Sequence, residues 1–220
     1  YIAINFLLKR EHNFLQVMKL VISGASGKTG YRIAEEAIKK GHDINLLVRN
    51  SSLLPDSLHS CVRKNLSIFS NNQLDESLKG NEALIIATGA KPSVDLTGPA
   101  KVDAFAVKKQ VESCKRVGIK RIILVSSLCA GKLIHPLNLF GLILLWKKVG
   151  EESLRESELD WTIIRPGGLN EEERDVSKQG IIYSTENTQQ DGSIPRRLVA
   201  QCCIEALSTK KSIGRIIEIT

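Results

Sequence analysis

Glycines recur at every third position in the run Gly24-Ala25-Ser26-Gly27-Lys28-Thr29-Gly30. An apolar stretch precedes the run and an amphipathic one follows it, so the loop joins a strand to a helix. Gly24 permits a tight turn, Gly27 lets the backbone approach a pyrophosphate, and Gly30 lets the helix lie close on the sheet. The helix N-terminus then offers unpaired N–H groups and the positive end of its dipole to an anion. Ser26, Lys28 and Thr29 add donors at the same place. The spacing is G-x-x-G-x-x-G, not G-x-G-x-x-G, and Lys28 lies inside the glycines, which excludes a Walker loop. The expected ligand is a dinucleotide.

The end of the second strand chooses between cofactors. A site for NAD(H) usually places Asp or Glu about 20 residues beyond the glycines, to bind the ribose 2′-hydroxyl. Here the chain reads Val48-Arg49-Asn50-Ser51-Ser52. A guanidinium attracts a 2′-phosphate bidentately, and the serine hydroxyls add bonds. NADP(H) is the preferred cofactor on this reading. NAD(H) stays open, the alternative being that Arg49 is a surface residue.

The elements that must hold these groups alternate. Strands are expected at 19–23, 44–48, 66–69, 83–87, 121–125, 161–164 and 215–219. Helices are expected at 28–40, 74–78, 99–117, 138–157 and 195–208. Such alternation makes an α/β fold: a doubly wound, mostly parallel Rossmann-like sheet with helices on both faces, in one domain. Ligands of these sheets bind at the carboxyl ends of the strands. Ser23-Gly24, Ala87-Thr88-Gly89, Ser126-Ser127 and Arg165-Pro166-Gly167 are the small and polar residues at those ends. The domain is expected over 18–220, beginning at Met18, the single methionine and the expected natural start. Residues 1–17 read as an extension outside the fold; the alternative is an amphipathic arm packed on it.

Apolar residues make up 42% and charged residues 25%, which reads as a soluble globular chain and leaves no room for a disordered or collagen-like one. The formal charge of +7 comes from scattered basic pairs rather than a tract interleaved with aromatics, so nucleic acid is not an expected partner. The five cysteines form no C-x-x-C pair and the four histidines are far apart, so no metal site is expected. An odd cysteine number fits a reducing compartment, the cytoplasm or, in a photosynthetic eukaryote, the plastid stroma.

Residues 24–30, Leu47-Val48-Arg49-Asn50-Ser51-Ser52, Val125-Ser126-Ser127 and Arg165-Pro166-Gly167-Gly168-Leu169 together resemble the atypical short-chain dehydrogenase/reductase superfamily, in its NAD(P)-binding, NmrA-like branch. The chain is similar there to the biliverdin reductase B (flavin reductase) group and to the Rossmann domain of the redox subunit of the chloroplast translocon. Trp146-Lys147-Lys148 and Glu151-Glu152-Ser153-Leu154 resemble the plastid and cyanobacterial branch. The resemblance implies that Gly24, Gly27, Gly30, Arg49, Ala87, Thr88 and Gly89 hold the dinucleotide. It implies that Ser126 and Ser127 line the nicotinamide side and that Pro166-Gly167 closes over it. Where the family often carries an acidic residue near the adenine, this chain has Ser70-Asn71-Asn72, and Asn71 is the substitute.

Ordinary members of that superfamily use Tyr-x-x-x-Lys as proton donor and ribose anchor. Lys147 matches the lysine, but Ile143 stands four residues before it and carries no proton. Ser127 and Lys147 are therefore the candidate catalytic residues. Ser127 either orients an acceptor or only touches cofactor, and Lys147 either binds ribose or is solvated. A missing tyrosine weakens alcohol or sugar chemistry more than reduction of a flavin, quinone or tetrapyrrole, whose products solvent can protonate. The acceptor is a small molecule on this reading; a non-catalytic redox sensor or scaffold is the rival. Residues 133–146 are strongly apolar but too short to span a bilayer. They suit a greasy pocket, a protein partner, a membrane surface or a buried helix start.

Overall fold

Leu20, Val21 and Ile22 follow one another in β1 (Lys19–Ser23), and all three are fully buried. A strand covered on both faces needs no polar alternation. β1 lies inside the sheet of the computed structural model, which describes residues 17–67, 70–90, 96–173 and 176–220. The chain continues through α1 (Lys28–Lys39), β2 (Asp43–Val48), β3 (Val62–Asn65), α2 (Asn71–Leu78), β4 (Ala83–Ile86), α3 (Ala106–Val117), β5 (Arg121–Val125) and α4 (Ile143–Arg155). It closes with β6 (Asp160–Pro166), β7 (Gly168–Asn170), β8 (Tyr183–Thr185), β9 (Ser193–Pro195), α5 (Arg196–Ser208) and β10 (Arg215–Ile219).

Eight strands form one sheet in the order β3-β2-β1-β4-β5-β6-β10-β8, all parallel except β8 against β10. β7 and β9 pair apart from it. This is the expected doubly wound Rossmann-like sheet. Its order reverses between β1 and β4, which opens a crevice at their carboxyl ends. Successive residues of one strand serve opposite cores. Leu20 and Ile22 pack with Ile33 of α1 and Val199 of α5, whereas Val21 packs with Leu74 of α2 and Val111 of α3. Cys202 and Cys203 are fully buried packing residues, and burial pushes the Cys203 thiol up to about 12.

Some elements differ from expectation. The third strand is Val62–Asn65, paired from Asn45↔Val62 to Val48↔Asn65, not 66–69; residues 68 and 69 lie outside the described residues. An edge strand can stay polar, and Arg63 and Asn65 are exposed, so the search for an apolar run goes astray there. The helix expected over 99–117 opens as a π-helical turn, Ala100–Phe105. The one expected over 138–157 is a 3₁₀ turn, Pro136–Phe140, and then α4. Gly141 separates them with φ +85°, and a Cβ there would stand 2.5 Å from the Leu96 carbonyl oxygen. The three-residue strands β7, β8 and β9 have too few residues to show a pattern. Most of the expected 1–17 extension lies outside the described residues.

Candidate functional site

The strand ends named above converge on one edge of the sheet. Beyond their ladders, backbone bonds hold them in step: Ala87 N donates to Ser23 O at 2.9 Å, Gly24 N to Leu47 O at 3.2 Å, and Ser126 N to Ile164 O at 2.8 Å. Leu128 N donates to Pro166 O at 2.9 Å and Gly167 N to Ile219 O at 2.9 Å.

At the glycine loop, Gly24 has φ +85°, and a Cβ on it would lie 2.8 Å from the Ala87 carbonyl and the Thr88 nitrogen. Gly30 has no room at all: a Cβ there would stand 2.1 Å from Gly24 O. Gly27 is the N-cap of α1, with no side-chain cap and no acidic residue in the first turn, so the helix end is open to an anion. Ser26 is exposed and Thr29 half-buried. Lys28 is exposed but turned to Glu171, with which it pairs.

Glu171 belongs to an acidic segment that follows β7 and straps across α1 and α5. Glu173 pairs with Arg32, which is 4% exposed, and with Arg197 at 3.2 Å; Arg197 also meets Glu35 at 2.7 Å. Burial opposes ionisation of Glu173, but the bonds from Arg32 and Arg197 outweigh it and hold the carboxyl below its ordinary value.

Arg49 is exposed at the end of β2 and makes no ion pair among the described residues. Asn71 opens α2 and is also exposed, behind Ser70 as N-cap. Gly89 follows β4 on the surface, while Pro166 and Gly167 are buried. A Cβ on Gly167 would meet Gly192 O at 2.6 Å.

Ser126 is 6% exposed and Ser127 half-buried. Three hydroxyls at the ends of the adjacent strands β1, β4 and β5 (Ser23 Oγ, Thr88 Oγ1 and Ser126 Oγ) are buried without a hydrogen-bond partner among the described residues. Buried polar atoms rarely stay unpaired. These orphans, with a glycine cradle that any Cβ would fill, fit a dinucleotide laid along this edge.

Lys147 is not solvated. Its Nζ donates to Asp103 Oδ1 at 2.8 Å, with exposures of 16% and 2%. Ile143, four residues earlier, is buried. The loop after β5 is tied to α4 through Gly131 N and Leu144 O at 2.8 Å. Between them opens a cleft of about 430 Å³, lined by Cys129, Ala130, Lys132, Leu145, Lys148 and Gln190 among others. Small-molecule sites span roughly 300–1,000 Å³, so it has room for a ring-sized ligand.

Of the apolar residues 133–146, Leu145 lines this cleft and Ile143 and Leu144 are buried. Leu133, Ile134 and Leu139 face solvent, so a buried helix start describes only the last part of the segment.

Arg165, one of the resemblance residues, is fully buried and works behind the site. It binds Glu151 bidentately at 2.9 and 2.7 Å and reaches Asn187 at 3.0 Å and Glu218 at 3.4 Å. Glu218 in turn accepts from the backbone nitrogens of Asn187, Thr188 and Gln189. The network fastens the loop that walls the cleft. Burial works against the Arg165 charge, but Glu151, Glu186 and Glu218 outweigh it and keep the guanidinium above its ordinary value. Asp103 and Glu218 were invisible to sequence reasoning, since each acts through a partner far along the chain, and Glu151 entered it only as a resemblance residue, without its role. No cluster of three or more His, Cys, Asp or Glu side chains that could hold a metal occurs among the described residues. No helix among them is long and apolar enough to cross a membrane.

Comparison with known proteins agrees with the fold and with NAD(P)H binding. A family model described as NAD(P)H-binding matches residues 24–210. An uncharacterised chloroplastic protein of Arabidopsis thaliana is 32% identical, over 94% of this chain and 78% of that one. Sanguinarine reductase of Eschscholzia californica is 30% identical, over 92% and 88%. The chain spans only 42% of the chloroplastic protein TIC 62 of Pisum sativum, at 31% identity. A solved structure from Bacillus halodurans, named for an NAD-dependent epimerase/dehydratase, superposes with a TM-score of 0.81 at 26% identity, covering 92% of this chain and 93% of that one.

Proposed function

The chain belongs to the NAD(P)H-binding family, a Rossmann-fold, short-chain dehydrogenase/reductase-like group of oxidoreductases, and on that basis we propose that it is an NADPH-dependent reductase of a flat or apolar small molecule. The acceptor is of the flavin, quinone or tetrapyrrole type. The observation that carries this reading is the cleft of about 430 Å³ whose lining begins at Cys129, two residues past Ser127.

The bound nicotinamide would supply the hydride; the protein binds, orients and shields. Backbone N–H groups of the first turn of α1 hold the pyrophosphate, and Gly24, Gly27 and Gly30 make the space for it. Arg49, exposed and without a carboxylate beside it, takes the 2′-phosphate and favours NADP(H) over NAD(H). Lys147 anchors the nicotinamide-side ribose. Ser127 orients the acceptor, and Leu145 and Ala130 exclude water from one side of the cleft. With Ile143 where a tyrosine would serve, no side chain delivers the proton at that position, and solvent protonates the product. The chloroplastic relative supports a plastid location.

Ile143 also favours a second reading, a dinucleotide-binding sensor or scaffold with little turnover. NADPH oxidation with FMN, quinones and biliverdin separates the two. Tight NADPH binding with no turnover on any acceptor would sink the reductase reading. Arg49→Ala is expected to lose the preference for NADPH over NADH; an intact preference removes the 2′-phosphate role.

A further inference from the structure

Asp103 is a buried carboxylate that the roles above leave unused. It lies in the π-helical turn Ala100–Phe105 and is 3% exposed. Its two oxygens serve different elements. Oδ1 accepts from Lys147 Nζ of α4 at 2.8 Å, and Oδ2 accepts from the backbone nitrogen of Ala90, just past the end of β4, at 3.1 Å. Gly89 lies beside the first of these bonds: a Cβ built there would stand 3.7 Å from Lys147 Nζ and 3.8 Å from Asp103 Oδ1. One carboxylate thus ties the lysine of a helix to the end of a central strand.

The backbone is shaped for this contact. Gly150 follows Lys147 by one turn of α4, and a Cβ on it would stand 2.2 Å from the Asp103 carbonyl oxygen. Only glycine lets α4 lie this close on the π turn. π-helical turns in helices recur at functional sites, where they redirect a side chain. A buried carboxylate is unfavourable unless paired and hydrogen-bonded, and Asp103 is both.

We propose that Asp103 is a positioning residue, which holds the Lys147 ammonium at the end of β4 to receive the nicotinamide-side ribose of the dinucleotide. The chemistry suits a vicinal diol. An ammonium has three donors, of which Asp103 takes one, and the carboxylate keeps lone pairs for a hydroxyl proton. A lysine on a flexible stem loses rotamer freedom on binding; one already held by Asp103 loses less. The inference rests on the dinucleotide-binding reading of the same edge.

The test compares two ligands by titration calorimetry: NADPH, and adenosine 2′,5′-bisphosphate, which lacks the nicotinamide-side ribose. Asp103→Asn and Lys147→Gln are each expected to weaken NADPH roughly tenfold, the strength of a hydrogen bond to a charged group, and to leave adenosine 2′,5′-bisphosphate unchanged. The double variant is expected to be no weaker than the worse single one, because the two act as a unit. Asp103→Glu should recover part of the loss. Undiminished NADPH binding by Asp103→Asn overturns the proposal. So does an equal loss of both ligands, which would mark Asp103 as merely structural. If Asp103→Asn does not fold, Lys147→Gln decides by the same comparison. Wild-type protein that binds neither ligand removes the cofactor reading itself, and this proposal with it.

Discussion

Gly30→Ala tests whether the glycine spacing exists to seat the first turn of α1 against the loop. The added Cβ would stand 2.1 Å from Gly24 O, 2.6 Å from Gly24 C and 3.0 Å from Ala25 Cα. All three are backbone atoms, so no rotamer relieves the overlap. Ordinary contact begins near 3.4 Å, so the turn must back away by more than about 1 Å. It is held by Gly27 N on Gly24 O at 2.9 Å and by Gly24 N on Leu47 O at 3.2 Å, and these bonds stretch if it moves. Overpacking of this kind costs about 1–3 kcal/mol, while the better helix propensity of alanine offsets at most about 1 kcal/mol. Urea unfolding should therefore show a net loss of roughly 1–2 kcal/mol. The shifted turn also misdirects its N–H groups, so NADPH affinity should fall at least about tenfold, or 1.4 kcal/mol. Gly98→Ala is the control, since nothing lies within 4 Å of its Cβ position; it should stay within about 0.5 kcal/mol of wild type. A Gly30→Ala protein of wild-type stability and NADPH affinity refutes the packing argument.

Other perturbations reach the rest of the molecule. Arg165→Met leaves Glu218 buried without its counter-charge and Glu151 with only Lys148 at 4.0 Å, and should cost about 3–5 kcal/mol in urea unfolding; a loss below about 1 kcal/mol would mean the network does not hold the loop at 186–189. Burial holds His42 below its ordinary value, against the opposing pull of Glu82, so the native state resists a proton that the unfolded chain accepts. Stability from this group is complete above about pH 6.5 and declines as pH falls below it, and His42→Asn should flatten that part of the curve. An unchanged slope in the variant would assign the acid sensitivity elsewhere. Burial pushes the Cys114 and Cys203 thiols up to about 12, whereas Cys61 is half-buried. Iodoacetamide at pH 8 should label Cys61 first and spare Cys114, Cys202 and Cys203 until unfolding; equal rates read by mass spectrometry would contradict the buried core.

The local signals were strong where a residue's own neighbours decide its state. β1 and β5 begin and end at the expected residues, around their apolar runs, and α1 ends one residue before the expected position. β3 failed that test because an edge strand is held by backbone pairing rather than by burial, which leaves Arg63 and Asn65 free to be polar. α4 began later than expected because Gly141 has to clear Leu96, a contact across 45 residues that no periodicity reveals.

By itself the sequence determined the class of fold, the glycine loop, Arg49 at the end of the second strand and the polar residues at the strand ends. Those features are local: a turn needs its glycine and a strand needs its apolar run within a few residues. Only the tertiary structure decided what those ends face. It buried Arg165 among carboxylates from α4 and β10, turned Lys28 toward Glu171, and set Lys147 on Asp103, which is 44 residues earlier. The Lys147–Asp103 pair depends on how α4 packs against the π turn. That packing is specified by Gly150 and by the whole core together, and no stretch of the chain read alone contains it.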